Sequence, residues 1–203
     1  MKKFLGKYNI ELLTGIMLAM VAMTVVRLPD MSAARRILAV YMVLFTLHEW
    51  EETRYPGGFS AMMQKLMGVQ INADAEKQSH IPVFVLLLAI LIIPYLLDSV
   101  IVLTLIPVFL GLFECFVHVV GIKVHKTKRP YTPGMVTALC MLIVSVCAIY
   151  YYSVNDLARG KDFLLGAVCM FICFAVMQNR VLAICGVGYQ DMAAAMKKRL
   201  KRL

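Results

Sequence analysis

The segment His48-Glu49-Trp50-Glu51-Glu52 places one histidine and three glutamates at the end of a long apolar run. Imidazole and carboxylate groups bind divalent metals, and they transfer protons in hydrolytic reactions. His48, Glu51 and Glu52 are spaced three and four residues apart, so they share one face of a helix. Because an unpaired charge is costly in lipid, this cluster predicts a binding site rather than a lipid-facing surface.

A second set of such side chains occurs where Glu114 and His118 are four residues apart and His125 follows seven residues later. On one helix the three form a stripe, and two such helices that face each other complete a metal site. A divalent metal is predicted. Mononuclear zinc, which needs three protein ligands and an open position, is favoured, and a di-iron site with about six ligands is the alternative. The predicted ligands are His48, Glu51, Glu52, Glu114, His118 and His125, with His80 in support.

These side chains fit metal-dependent hydrolysis. Zinc lowers the pKa of a bound water, and a glutamate beside the metal then accepts the proton. Glu51 and Glu52 are predicted as the catalytic residues, because adjacent helical residues point about 100° apart and can divide the roles of ligand and base. The sequence leaves open which is which. Di-iron oxidation is a second enzymatic hypothesis. A non-catalytic transporter or assembly factor that binds ions or protons with the same residues is the alternative.

The composition predicts an integral membrane protein. Of the 203 residues, 61% are hydrophobic and 16% are charged, whereas about a quarter are charged in a soluble domain. Six apolar runs have about the length that crosses a bilayer as helix, at 9–27, 36–53, 80–97, 99–122, 134–153 and 161–179. The predicted fold is one all-α transmembrane bundle over 1–203. The helical spacing of the apolar residues within 54–79 also predicts an interfacial amphipathic helix.

The distribution of the +9 net charge predicts the orientation. With six spans, most lysines and arginines lie on the side of the two termini, which the positive-inside rule assigns to the cytoplasm. All four histidines then lie at the cytoplasmic leaflet. The predicted location is the cell membrane, and the predicted partners are the bilayer and a lipid or lipid-like substrate. Basic residues confined to loops and tails argue against a nucleic-acid partner.

The segment His48-Glu49-Trp50-Glu51-Glu52 resembles the name-giving motif of the HXXEE family of small bacterial membrane proteins. His118, His125 and the stretch 129–138 resemble the later histidine region of that family and its Tyr-x-Pro-Gly-x-x-Thr motif. The resemblance implies a multi-span membrane protein whose functional groups are His48, Glu51, Glu52 and His118. It also implies a supporting turn made by Tyr131, Pro133, Gly134 and Thr137. Proline presets φ at a helix start, and glycine lets backbones approach closely.

Overall fold

The computed structural model describes residues 2–127 and 129–201, and these residues form helices joined by short loops, with no β-strand among them. Within these described ranges, five helices are long and apolar enough to cross a membrane, namely α1, α4, α5, α6 and α7. The prediction of an all-α, multi-span bundle is confirmed. The helices are α1 Lys2–Val26, α2 Ala33–Thr53, α3 Phe59–Met67, α4 Ala73–Leu96, α5 Ile101–His125, α6 Met135–Val154, α7 Gly160–Ile184 and α8 Tyr189–Leu200.

Helix α2 is also long, but it differs from those five in charge. Its 21 residues extend about 31 Å at about 1.5 Å per residue, close to the thickness of a hydrocarbon layer. Two arginines lie near its start and three glutamates near its end. Tyr41 and Met42 in its middle are fully buried, and the helix contacts α1, α4, α5 and α6. The two charged ends of α2 therefore lie at opposite ends of the bundle.

Helix α5 lies at the centre of the bundle, where it packs against α2, α4, α6 and α7. Gly111 permits this packing, because a Cβ atom there would lie 2.8 Å from Ser145 Oγ and 3.1 Å from the ring of Tyr41. Small residues of this kind let membrane helices approach closely. The close contact brings the second half of α5 next to the end of α2 and the start of α6.

Two short helices lie over the end of the bundle that contains the histidines. Helix α3 falls within the segment 54–79 and contacts α8, which also contacts α5. Helix α4 begins at Ala73, earlier than the apolar run at 80. The reason is a cap, because Asn72 Oδ1 accepts a hydrogen bond from the Ala75 amide at 2.8 Å. Its first turns therefore extend beyond the apolar region and carry His80 to the same end.

Candidate metal centre

The end of α2 and the second half of α5 bring two histidines and a glutamate together. Glu52 Oε1 lies 3.6 Å from His48 Nε2 and 3.2 Å from His118 Nε2. Among the described residues, His48, Glu52 and His118 form a group whose ligand atoms all lie within 4.8 Å of one another. This group can hold a metal ion, because two imidazole nitrogens and one carboxylate are a common ligand set for divalent metals.

Glu114 lies beside this group, on the side of α5. Its Oε2 atom is 3.8 Å from His48 Nε2 and 4.0 Å from His118 Nε2. The side chains of His48 and His118 are 4% and 1% exposed, and those of Glu52 and Glu114 are 14% and 18% exposed. Two carboxylates therefore face two buried imidazoles, in a region with little access to water.

The hydrogen bond at the second ring nitrogen of His118, Nδ1, determines which tautomer of this histidine is present. His118 Nδ1 lies 3.0 Å from the hydroxyl of Thr132, and that hydroxyl donates its one proton to the backbone carbonyl of His118. The hydroxyl can therefore only accept from Nδ1, so Nδ1 carries the proton. Nε2 is left with a lone pair, and this buried atom has no hydrogen-bond partner among the described residues. A buried polar atom of this kind is costly unless something binds it.

His48 has the same tautomer for a similar reason. Its Nδ1 atom lies 3.1 Å from the Gly134 carbonyl oxygen, which can only accept, and 2.9 Å from the Thr137 hydroxyl. That hydroxyl donates to the Glu51 carboxylate at 2.6 Å, so it accepts from His48. The Nε2 lone pair of His48 then faces Glu52 and Glu114. Histidines that ligate metals usually have their second nitrogen held in this way.

The Glu51 carboxylate is directed to the start of α6. It accepts hydrogen bonds from the Val136 and Thr137 amides at 3.0 and 2.9 Å, from the Thr137 hydroxyl, and from the Tyr131 hydroxyl at 3.0 Å. The first amides of a helix have no partner within the helix and attract anions. Burial and the bond to Glu51 raise the pKa of the Tyr131 phenol to about 12. Glu51 therefore anchors His48 through Thr137, while Glu52 faces the histidines.

Gly134 leaves room for the site. Its φ of 95° lies in the left-handed region, and a Cβ atom would lie 2.6 Å from His118 Cε1 and 2.8 Å from Glu52 Cγ. Backbone at the start of α6 thus packs directly against two residues of the group. Pro133, just before it, presets the entry of the chain into the helix. Pro133 and Gly134 both belong to the turn that the family resemblance implied, and these are their geometric roles in the structure.

An apolar cavity of about 540 Å³ opens from the group and is lined by residues of α2, α3, α4, α5, α7 and α8. Its volume is within the range of small-molecule pockets. His80 and His125 line this cavity together with His48 and His118. Both lie outside the group of three, however. The structure therefore brings all four histidines to one end of the bundle but places only two of them against Glu52.

Two residues were missed by the sequence reasoning. Thr132 is fully buried and orients His118, and Glu49 is 9% exposed and lines the apolar cavity. Helical spacing could have found Glu49, since it lies three residues before Glu52 and faces the same side. Thr132 gave no signal of this kind, because its contact with His118 depends on how residues 129–134 lie against α5.

The comparisons with known proteins identify a family. A family model described as "Protein of unknown function with HXXEE motif" matches residues 39–150, which include α2 from its second turn, α5 and most of α6. No curated protein and no solved structure matches the chain. The matched region contains His48, Glu52 and His118 and every residue described as orienting them, whereas α7 and α8, which also line the cavity, lie outside it.

Proposed function

Because the chain belongs to the HXXEE family, whose function is unknown, we propose an activity from the site itself. The protein is a membrane-embedded, metal-dependent hydrolase that acts on a lipid or lipid-like substrate at the cytoplasmic leaflet. His48, Glu52 and His118 hold one divalent metal, with zinc favoured by two histidines, one glutamate and an open position. Glu114, which the sequence analysis predicted as a ligand, is the general base in place of Glu51 or Glu52.

The observation that carries this proposal is the position of the His118 Nε2 atom. It is buried, has no hydrogen-bond partner among the described residues, and lies 3.2 Å from Glu52 Oε1. The nearby His48 Nε2 atom also carries a lone pair. Lone pairs and a carboxylate oxygen at these distances repel unless a cation or a proton lies between them. Three such atoms that converge favour a cation.

The side chains around the group have distinct tasks. A bound metal would supply Lewis acidity and lower the pKa of a water molecule. Glu114 then takes the proton of the attacking water and returns it to the leaving-group oxygen as the ester bond breaks. Thr132 and Thr137 hold the two imidazoles in the tautomer that leaves Nε2 free. Glu51 has its acceptors occupied by four donors, so its task is to fix His48.

A lipid substrate is supported by the apolar cavity, to whose wall the apolar helices α4, α5 and α7 contribute. The cavity extends from the group, and its wall is mainly apolar, which suits the hydrocarbon chain of a lipid. A cytoplasmic position for this end, and for both termini, is supported by the distribution of lysine and arginine. The cell membrane is then the location, and the site lies at the depth of the lipid headgroups.

Elemental analysis of purified, detergent-solubilised protein tests the metal. We expect about one zinc per chain in the wild type, and loss of this metal in His48→Ala and His118→Ala. His80→Ala is the matched control, because His80 lines the same cavity outside the group, and it should keep the metal. Two irons per chain would instead favour the di-iron hypothesis. A wild-type protein without stoichiometric metal would contradict the metalloenzyme, and metal retained in both variants would move the site elsewhere.

Glu114→Gln tests the base. Glutamine keeps the shape but accepts no proton, so hydrolysis of fluorogenic acyl-ester and phosphodiester lipid analogues in mixed micelles should fall by about 10²- to 10⁴-fold. Metal content should stay the same, which separates this effect from a loss of the site. Unchanged turnover in this variant would exclude Glu114 as the base. Metal binding without turnover of either class of analogue would favour the non-catalytic alternative.

A further inference from the structure

A second cavity, of about 450 Å³, lies at the same end of the bundle and is strongly basic. Three parts of the chain contribute its basic side chains, which are Lys65 of α3, His125 and Lys126 at the end of α5, and Arg199 of α8. No acidic residue lines it among the described residues. Four basic side chains from three helices around one cavity favour an anionic ligand.

This basic cavity is next to the apolar cavity, and the two share one wall. Ala61, Met62 and Leu66 of α3 and Val124 and His125 of α5 line both. The shared residues are apolar except for His125. A ligand that occupies both cavities therefore needs an anionic group at one end and hydrocarbon at the other.

We propose that Lys65, His125, Lys126 and Arg199 bind the phosphate group of a lipid whose hydrocarbon chain lies in the neighbouring apolar cavity. Arginine and lysine bind phosphate oxygens through charge-assisted hydrogen bonds, and arginine does so with two parallel donors. Basic pockets between membrane helices are typical binding sites for anionic headgroups. The binding site stands on its own residues; that the bound phospholipid is also the substrate rests on the hydrolase proposed above.

The position of His125 favours this use over metal binding. His125 lies seven residues beyond His118 on α5, yet it lies outside the group of three ligands and lines the cavity that contains Arg199. Helix α5 ends at His125, and Lys126 follows with a left-handed φ of 52°. The chain therefore turns just where the basic side chains meet.

Binding of monododecyl phosphate to the full chain in a neutral maltoside detergent tests the proposal. Its affinity is measured by isothermal titration after treatment with a chelator, so the result does not depend on metal or on turnover. We expect Lys65→Gln/Arg199→Gln to weaken binding about tenfold or more, since two charge-assisted contacts are removed. Lys197→Gln/Lys198→Gln is the matched control. It removes the same charge from exposed residues of α8 that line neither cavity, and it should bind as the wild type does.

Inorganic phosphate, which is the anionic group without the hydrocarbon chain, completes the test. It should bind far more weakly than monododecyl phosphate. Equal binding of inorganic phosphate would overturn the lipid and leave a site for free phosphate. Equal loss in the control variant, or no loss in Lys65→Gln/Arg199→Gln, would overturn the site. None of these failures affects the metal content that tests the hydrolase, so the two proposals fail separately.

Discussion

Helix α2 carries charged side chains at both of its ends, and their surroundings differ. Near its start, Arg35 contacts Asp98 at 2.7 Å and donates to the Tyr95 carbonyl at 3.0 Å, while Ser32 donates to the second oxygen of Asp98. Near its end, Glu52 faces two imidazole nitrogens that have lone pairs and no proton to donate. One end is a closed network of partners. The other end is a set of acceptors that face one another.

This difference shows that charge in a membrane helix does not by itself indicate a site. The first network satisfies its own donors and acceptors, so it needs no ligand and is structural. The group at His48, Glu52 and His118 leaves its acceptors facing one another, and its histidines are held in the orientation that would receive a cation. The predictions below test whether the two ends respond in opposite ways.

Gly134→Ala should have the largest effect, namely loss of stoichiometric metal. The new Cβ atom would collide with His118 and Glu52, and the left-handed φ adds about 1 to 2 kcal/mol of strain. Elemental analysis and thermal unfolding measure the two effects. Gly186→Ala is the control, since Gly186 also has a positive φ, of 70°, but nothing lies within 4 Å of its added Cβ. It should lose stability and keep the metal; equal metal loss in both variants would contradict a specific role for Gly134.

Thr132→Val should lower metal affinity by about 10- to 100-fold, the usual cost of removing a residue that orients a ligand. Valine keeps the shape but leaves His118 Nδ1–H without its acceptor. Competition with a coloured chelator measures the affinity. Ser145→Ala removes another buried hydroxyl, which bonds to Tyr41, and should change stability alone. An unchanged affinity in Thr132→Val would show that the tautomer of His118 does not matter.

Glu52→Gln and Asp98→Asn should shift stability in opposite directions in the metal-free protein. Glutamine removes a charge that faces two lone pairs and adds a donor, so we expect a gain of about 1 kcal/mol. Asparagine weakens a partly exposed ion pair with Arg35, so we expect a loss of about 1 kcal/mol or less. Thermal unfolding in detergent compares the two. If both variants are destabilised alike, Glu52 is an ordinary structural residue.

Tyr131→Phe should also have a small effect, a loss of about 1 kcal/mol or less, because Glu51 keeps three of its four donors. The pKa of the phenol is raised to about 12, above its usual value of about 10. The hydrogen bond from the Tyr131 hydroxyl therefore stabilises the fold fully below a pH of about 10, and this contribution is lost as the pH rises towards 12. The phenolate absorbance of the wild type minus that of the variant gives the titration. A Tyr131 that titrates near pH of about 10 would contradict its bond to Glu51.

The lengths of the apolar runs predicted the long helices well, because segments that cross a bilayer need such runs, whatever packs against them. The helix α8 was not predicted, since its sequence is polar and its place depends on contacts with α3 and α5. For the site, the spacing of Glu114 and His118 predicted a shared face, and both residues reach the group at α2. His125 shares that stripe but faces Arg199, because α5 ends there and its neighbours change.

The sequence by itself determined the class of protein, its long helices and the helix faces that carry histidine and glutamate. These depend on local composition and on helical spacing. Only the tertiary structure showed that Glu52 faces the histidines while Glu51 binds the start of α6, since this depends on where α6 presents its free amides. It likewise decided the tautomers of His48 and His118. Thr137 reaches His48 only when α2 and α6 pack together, and Thr132 reaches His118 only when the residues before α6 lie against α5.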